Sequence, residues 1–130
     1  MRLASAFFAA TTCFSFAQAQ TPEAFYKGKT IDMMVGSEAG SGYDAYARLL
    51  TRHMGKYIPG NPNFVVQNMP GAGSITASQY LANIAAKDGT VIGSVFPGAL
   101  AEPMTGDASK FRYQPTKFEY LGTMDSGTRL

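Results

Sequence analysis

The feature that most constrains the fold is an apolar run, residues 31–35, which stops at a glycine and leads through a glycine-rich loop into a helical pattern. A nearly continuous apolar run is typical of a strand buried on both faces of a parallel sheet. Glycines let the backbone approach a ligand, and a helix start offers unpaired N–H groups and partial positive charge. The stretch 35–44 therefore predicts a turn that can hold an anion.

A second loop of the same kind, residues 70–74, follows the next apolar run, residues 64–66. A third strand is predicted at residues 90–95 and a fourth at residues 118–122. The alternation of strands and helices predicts an α/β fold with a parallel sheet, because right-handed crossovers join parallel strands. Both loops then lie at the carboxyl ends of the strands, where such sheets bind ligands. We expect the two loops to form one carboxylate-binding cleft.

Two helices are predicted between these strands from the spacing of apolar residues. The first spans residues 45–57 and ends before a Pro-Gly turn at residues 59–60, and the second spans residues 77–84. Each helix should bury one apolar stripe against the sheet. The stripe residues are Tyr46, Leu49, Leu50, Met54 and Tyr57 in the first helix, and Ala77, Tyr80, Leu81 and Ile84 in the second.

The composition is that of a globular protein. The chain has 130 residues, of which 45% are hydrophobic and 15% charged, as expected for one domain rather than a disordered chain. Its formal net charge is +2 with scattered Lys and Arg, so we expect no nucleic-acid partner. A sheet of three or four strands with only two helices leaves apolar surface uncovered. We therefore expect residues 20–130 to be part of a larger unit.

The first residues have the pattern of an export signal. A short basic start precedes an apolar stretch, and Ala17-Gln18-Ala19 is a small-x-small cleavage site, so we expect residues 1–19 to be removed. A membrane anchor is disfavoured because the apolar stretch is shorter than the ~20 residues that span a bilayer. Cys13, the single cysteine, lies in this segment, and its neighbours fit a lipidation signal poorly. We expect a periplasmic mature protein without disulfides or cysteine–zinc sites.

Other interpretations of the loops are weaker. Residues 40–45 match G-x-G-x-x-A, a dinucleotide-binding fingerprint, but the acidic residue expected at the end of the second strand is absent. Asp44 is either a ligand contact or a first-turn acid paired with Arg48, and the four-residue spacing favours the pair. Ser41 and Ser74 can each be a ligand donor or a helix cap.

No set of catalytic groups can be assembled from the sequence. A serine nucleophile needs a partner base, and His53, the single histidine, lies about 18 Å along the first helix from Ser41. We therefore expect no enzymatic activity, no cofactor and no metal site. An exported α/β enzyme that uses Asp44 or a loop serine is the alternative.

Three motifs resemble those of a known family. The first is residues 35–48, which end Gly-Tyr-Asp-Ala-Tyr-Ala-Arg. The second is residues 65–73, Val-Val-Gln-Asn-Met-Pro-Gly-Ala-Gly, and the third is residues 87–93, Lys-Asp-Gly-Thr-Val-Ile-Gly. In this order they resemble the Bug (Bordetella uptake gene) family, the extracytoplasmic solute-binding proteins of tripartite tricarboxylate transporters. The resemblance covers nearly the whole mature chain.

The resemblance implies a truncated type II periplasmic-binding-protein (Venus flytrap) fold, in which residues 20–130 form part of the first lobe and the second lobe is missing. It implies that a small organic carboxylate binds through both loops and is delivered to the membrane permease subunits of a transporter. A ligand receptor that signals to a membrane partner is an alternative that the sequence leaves open. The binding residues implied by position are Ala39, Gly40, Ser41, Tyr43, Asp44, Gly71, Ala72, Gly73 and Ser74.

The first loop departs from the family motif. Gly36 stands where proline is common, Ser41 where glycine is common, and Tyr43 where a small hydroxyl residue is usual. Tyr43 can narrow the pocket or stack on a ligand. If Glu38 points inward it disfavours a tricarboxylate, because two unit charges ~4 Å apart repel by roughly 4 kcal/mol near a protein surface.

Overall fold

The structure is a computed structural model that describes residues 20–124. The expected export signal, with its cleavage after Ala19 and with Cys13, lies outside the described residues, as does the segment 125–130. The α/β prediction is confirmed, because parallel strands and helices alternate along the described chain. The elements are α1 (Pro22–Tyr26), β1 (Thr30–Val35), α2 (Gly42–Met54), β2 (Asn63–Asn68), α3 (Ile75–Asn83), β3 (Val91–Ser94) and α4 (Pro97–Thr105). Single 3₁₀ turns occupy Gly55–Tyr57, Ala72–Ser74, Ala108–Lys110 and Pro115–Lys117.

The sheet has the strand order β2-β1-β3, with the central strand β1 parallel to both neighbours. The register aligns Val35 with Asn68 of β2 and with Ser94 of β3, so the three strands end at the same level. Pairing continues just past β1, where the Gly36 N–H donates to the Ser94 carbonyl at 2.8 Å. The loops that follow the three strands therefore leave the sheet side by side.

Alternate residues of β1 pack on opposite faces of the sheet. Met33 and Val35 are buried in one core cluster with Ala47 of α2. Met34 belongs to the other face, together with its register partner Gly93, where an added Cβ would lie 2.2 Å from the α3 side chain Leu81. α2 and α3 therefore cover opposite faces, as right-handed crossovers require for this strand order.

The face that α2 turns toward the sheet differs from the predicted stripe. Three of the predicted stripe residues are exposed by more than half, namely Tyr46 (59%), Leu49 (53%) and Tyr57 (77%), so that part of the prediction is wrong. The core-facing residues are Ala47, which is buried, and Tyr43 and Leu50, which pack against the core. The helix is therefore rotated about its axis relative to the predicted orientation. In its first turn the Asp44 carboxylate accepts a hydrogen bond from Asn68 of β2 at 2.9 Å, and this contact fixes which side of α2 faces the sheet.

No strand forms at residues 118–122, so the prediction of a fourth strand is wrong for this part of the described chain. The segment packs through its aromatic side chains instead. The Phe118 ring lies 6.1 Å from the Tyr113 ring, and the Tyr120 hydroxyl donates to the Pro115 carbonyl at 3.0 Å. These contacts fold the segment onto its own preceding turn rather than along the edge of the sheet.

The second predicted helix is shorter at its end, and a further helix follows β3. α3 ends at Asn83, so Ile84 lies beyond the helix with an exposed side chain, and its place in the predicted stripe is wrong. The further helix is α4, Pro97–Thr105, which begins three residues after the end of β3. Within residues 20–124 there is no helix with the length and apolar character needed to cross a membrane.

Met33→Ala tests the packing of the central strand. Met33 is 1% exposed, and its truncation should lower the free energy of unfolding by about 2–5 kcal/mol, because it removes buried contacts and leaves a cavity. Urea denaturation followed by circular dichroism measures the change. Met104→Ala is the matched control, because Met104 is 63% exposed and its loss should change stability by less than about 0.5 kcal/mol. Equal losses in the two variants would contradict the assigned core.

Candidate functional site

The Asp44 carboxylate ties the first loop to α2 and β2. One oxygen accepts hydrogen bonds from the Gly40 backbone N–H at 2.8 Å and from Arg48 Nε at 2.9 Å, and the other accepts from Asn68 Nδ2 at 2.9 Å. The hydrogen bond from Arg48, and then those from Gly40 and Asn68, hold the pKa of the Asp44 carboxyl well below its usual range. The predicted pairing of Asp44 with Arg48 is confirmed, and both carboxylate oxygens are used inside the protein.

Asn68 is the second member of this network, and the sequence analysis did not include it among the site residues. Its amide nitrogen also donates to the Ser37 carbonyl at 3.0 Å, and its amide oxygen accepts from Arg48 Nη2 at 3.2 Å. Asn68 therefore links the first loop to the strand that leads into the second loop. A polar residue at the carboxyl end of a strand was the signal that could have identified it.

Ser41 acts as the cap of α2. Its hydroxyl accepts from the Asp44 N–H at 3.3 Å and lies 2.7 Å from the Ser37 hydroxyl. Of the two interpretations left open for Ser41, the structure has the helix cap. The N–H groups of Gly40, Ser41 and Asp44 are bonded within the loop, so the helix start offers its remaining first-turn N–H groups, those of Gly42 and Tyr43.

The Ser74 hydroxyl, which belongs to the second loop, joins the first loop to the third loop, residues 95–96 between β3 and α4. It donates to the Gly36 carbonyl at 2.9 Å and accepts from the Phe96 N–H at 3.1 Å, and Ser74 is fully buried. A Cβ added at Gly36 would lie 2.4 Å from the Ser74 hydroxyl oxygen. The two loops can approach this closely only because Gly36 has no side chain. Ser74 is thus a bridge between loops, and its side chain makes no cap hydrogen bond to α3.

The second loop has an unusual backbone. Ala72, Gly73 and Ser74 are three successive residues with positive φ, at 45°, 61° and 74°. For Ala72 and Ser74 the left-handed conformation costs roughly 1–2 kcal/mol each relative to the right-handed one. Such strain persists only where the surroundings hold it, as the Ser74 hydrogen bonds do here, and it is concentrated at functional sites in many proteins.

A cavity of about 660 Å³, which we term the cleft cavity, lies where the first turns of α2 and α4 meet the second loop. It is an open groove on the surface rather than an enclosed pocket. The lining residues are Tyr43, Ala72, Gly73, Ile75, Phe96, Pro97, Gly98, Ala99 and Glu102.

The third loop and α4 supply a wall of the cleft cavity that the sequence analysis missed. The Tyr43 and Phe96 rings pack against each other with centroids 4.5 Å apart, which gives the cavity an aromatic side. Glu102 is the one lining residue with a charged side chain. The position of this loop directly after a third parallel strand was the available signal, because it places the loop at the same sheet edge.

The nine predicted binding residues divide into three groups in the structure. Those that line the cleft cavity are Tyr43, Ala72 and Gly73. Those whose side chain or backbone holds the loops together are Gly40, Ser41, Asp44 and Ser74. Those that belong to the loops but do not line the cavity are Ala39 and Gly71, which are exposed. Contact of any of them with a ligand stays a prediction.

Comparisons of the chain with protein-family models, with curated proteins and with solved structures found no match.

Within residues 20–124, no three His, Cys, Asp or Glu side chains are grouped so that they could hold a metal ion.

Asp44→Asn tests the carboxylate network and its pH dependence. The variant should melt about 5 °C lower than the wild type at about pH 7, because a neutral amide accepts weaker hydrogen bonds from Arg48 and Gly40. Since folding lowers the Asp44 pKa, its stabilising effect is complete above the unfolded pKa of about 3.9 and is lost progressively as the pH falls from there toward the lowered pKa of the folded state. The difference in Tm should therefore narrow between about pH 5 and pH 3.

Thermal melts by circular dichroism across this pH range measure both effects. Glu38→Gln is the control, because Glu38 is an exposed acid of the same loop and its side chain forms no ion pair in the described part of the chain. A Tm difference for Asp44→Asn that stays constant down to about pH 3 would contradict the proposed role of the charge.

Ser74→Ala tests the bridge between the loops. Removing the hydroxyl leaves the buried Gly36 carbonyl and Phe96 N–H without this partner, which should cost about 1–3 kcal/mol in the free energy of unfolding. Chemical denaturation measures the loss. Ser78→Ala is the matched control, because Ser78 is equally buried but its hydroxyl bridges no pair of backbone groups. If the Ser74 variant is as stable as the Ser78 variant, the Ser74 hydroxyl does not stabilise the contact between the loops.

Proposed function

We propose that this chain is the extracytoplasmic solute-binding component of a tripartite tricarboxylate-type transporter, or the first-lobe part of one, and that it binds a small organic carboxylate in the cleft cavity. The observation that carries the proposal is the meeting of the α2 start, the second loop and the α4 start around one cavity at the carboxyl edge of a parallel sheet. This edge is where open α/β sheets bind ligands. The resemblance of the loops to the Bug family supports the same site.

A carboxylate fits the electrostatics of this edge. Helix starts present backbone N–H groups and the positive end of the helix dipole, and both stabilise a bound anion. The walls include Ala72, Gly73 and Gly98, where a small side chain or none lets the backbone come close to a ligand. The side chains of Asp44, Ser41 and Ser74 serve this proposal indirectly, because they hold the loops in position.

Glu102 and the aromatic wall narrow the choice of carboxylate. A second ligand carboxylate near Glu102 would be repelled, and the lining residues include no Lys, Arg or His to offset that charge. Tyr43 and Phe96 offer an apolar surface to the body of a ligand. The proposed ranking is therefore monocarboxylates with an apolar or aromatic body above citrate and other tricarboxylates.

The proposal also gives the protein a periplasmic location and a membrane partner. The expected export signal supports a periplasmic location, and the βαβαβ order is compatible with a lobe of the type II periplasmic-binding-protein fold. In this proposal the loaded protein delivers its ligand to membrane permease subunits, and it carries out no chemistry on the ligand.

Isothermal titration calorimetry with a panel of organic acids tests the binding function. The panel contains aromatic and aliphatic monocarboxylates, dicarboxylates and citrate, together with the amide of each monocarboxylate as an uncharged control. At least one acid should bind with a micromolar dissociation constant, and its amide should bind at least about tenfold more weakly. The absence of binding by every acid would overturn the proposal.

Gly73→Leu locates the binding in the cleft cavity. Gly73 lines the cavity with φ +61°, and an added Cβ there meets no atom within 4 Å. The leucine side chain should therefore occupy part of the cavity and weaken acid binding about tenfold or more. Gly28→Leu is the matched control, because Gly28 has φ +74° and equally open surroundings but lies outside the cavity. Equal affinity in the two variants would place the acid somewhere else.

A further inference from the structure

A second cavity, of about 880 Å³, lies at the far end of the helices from the cleft cavity. It is bounded by the last residues of α3 and α4 and by the segment 111–118. The two cavities share no lining residue, although the adjacent α4 residues Glu102 and Pro103 line the cleft cavity and this cavity, respectively. The lining residues are Ala82, Asn83, Lys87, Pro103, Met104, Ala108, Phe111, Arg112, Tyr113, Gln114, Pro115, Thr116, Lys117 and Phe118. We term it the basic cavity.

The charges that line the basic cavity are all positive. Lys87, Arg112 and Lys117 are among the lining residues, and Asp and Glu are not. The Lys87 ammonium donates to the Leu81 carbonyl near the end of α3, so part of its hydrogen-bonding capacity is used. Among residues 20–124 the ion pairs are Asp44–Arg48 and Asp107–Lys110, so the charges of Arg112 and Lys117 are not neutralised by an acid of the described chain.

The remaining walls are apolar and aromatic. The rings of Phe111 and Phe118 each contact the ring of Tyr113, with centroid distances of 6.0 Å and 6.1 Å. Pro103 and Pro115 are buried beside them. The buried lining residues are thus apolar or aromatic, and Arg112 and Lys117 are exposed, so the lining matches a molecule with an apolar body and one anionic group.

The wall that carries Arg112 and Lys117 is attached to the helices. The Asn83 amide donates to the Arg112 carbonyl at 2.8 Å, and the buried Tyr113 hydroxyl donates to the Ala99 carbonyl at 2.5 Å. Burial raises the pKa of the Tyr113 phenol, so it remains a neutral donor. The segment is therefore held in position before any ligand binds, which lowers the entropic cost of binding.

We propose that the basic cavity binds a small organic anion with an apolar or aromatic body, such as a sulfonate or carboxylate amphiphile, through Arg112 and Lys117. This site is independent of the proposed carboxylate site at the opposite end of the helices. A cationic ligand is disfavoured because the walls carry no acid, and a fully polar anion would leave the aromatic surfaces without a partner.

The test uses a fluorescent probe of this chemistry, 1-anilinonaphthalene-8-sulfonate, with N-phenyl-1-naphthylamine as the same aromatic body without the charge. The sulfonate should bind in a saturable one-to-one manner. Arg112→Gln combined with Lys117→Gln should weaken it about tenfold, because two charge-assisted contacts are lost. Binding of the uncharged probe should change less than about twofold in the same variant. Circular dichroism establishes that the variant is folded.

Arg52→Gln combined with Lys56→Gln is the matched control, because it makes the same change in net charge on α2 and on the 3₁₀ turn that follows it, away from the cavity. It should leave sulfonate binding within about twofold of the wild type. Equal weakening in both double variants, or no saturable binding by the wild type, would overturn the proposal. Gly73→Leu distinguishes the two sites. Sulfonate binding should persist in this variant whether or not the cleft cavity binds an acid. A loss of sulfonate binding in this variant would show that the probe binds in the cleft cavity instead.

A competition measurement decides the case if the Arg112 and Lys117 double variant does not fold. Octanesulfonate should displace the bound probe from the wild-type protein, whereas octanol at the same concentration should not. Raising sodium chloride from about 50 mM to about 500 mM should weaken sulfonate binding but not binding of the uncharged probe. Displacement by octanol as effective as by octanesulfonate would show that the cavity selects apolar surface alone and would overturn the proposal.

Discussion

The two hydrogen bonds of the buried Ser74 hydroxyl are the interaction on which the arrangement of loops at the carboxyl edge of the sheet depends. It joins the backbone after β1 to the backbone after β3, and it belongs to the loop that follows β2. The three strands end at one level, and Asn68 also links the first loop to β2, while the Tyr43 and Phe96 rings bring the first loop against the third. The Ser74 hydroxyl is the one buried side-chain group in the described chain that bonds the backbone of two of these loops at once, as donor to one and acceptor from the other. The left-handed backbone of Ala72 and Gly73 is tolerated in the same context.

Most polar side chains at this edge form hydrogen bonds to other groups of the protein, which leaves few of them available to a ligand. Asp44, Arg48 and Asn68 form a closed network, and Ser41 caps the helix that carries two of them. The cleft cavity is lined by two aromatic rings, one carboxylate and several small or apolar residues. If the proposed carboxylate binds there, its recognition would depend on backbone N–H groups and on shape. The network would then contribute indirectly, by fixing the position of the loops.

The sequence predicted the elements well because their signals are local. A continuous apolar strand bounded by glycine, and helices that follow at once, need no tertiary information. The rotation of α2 was predicted wrongly because Tyr46 and Leu49 look like core residues, and the deciding contact, from Asp44 to Asn68, joins residues that are far apart in sequence. The same limitation hid the third loop, since Phe96 contributes to the site only after β3 pairs with β1. The segment 118–122 has strand-forming residues, but its aromatic side chains bind its own preceding turn.

The close contact at Gly36 limits which residues position 36 can hold. Proline here would place a ring carbon against the Ser74 oxygen and would remove the N–H that bonds to Ser94. Chains that carry proline at position 36 must therefore join their first and third loops by other atoms. Positions 36 and 74 should vary together across related chains, with a hydroxyl at the second position found where the first is glycine.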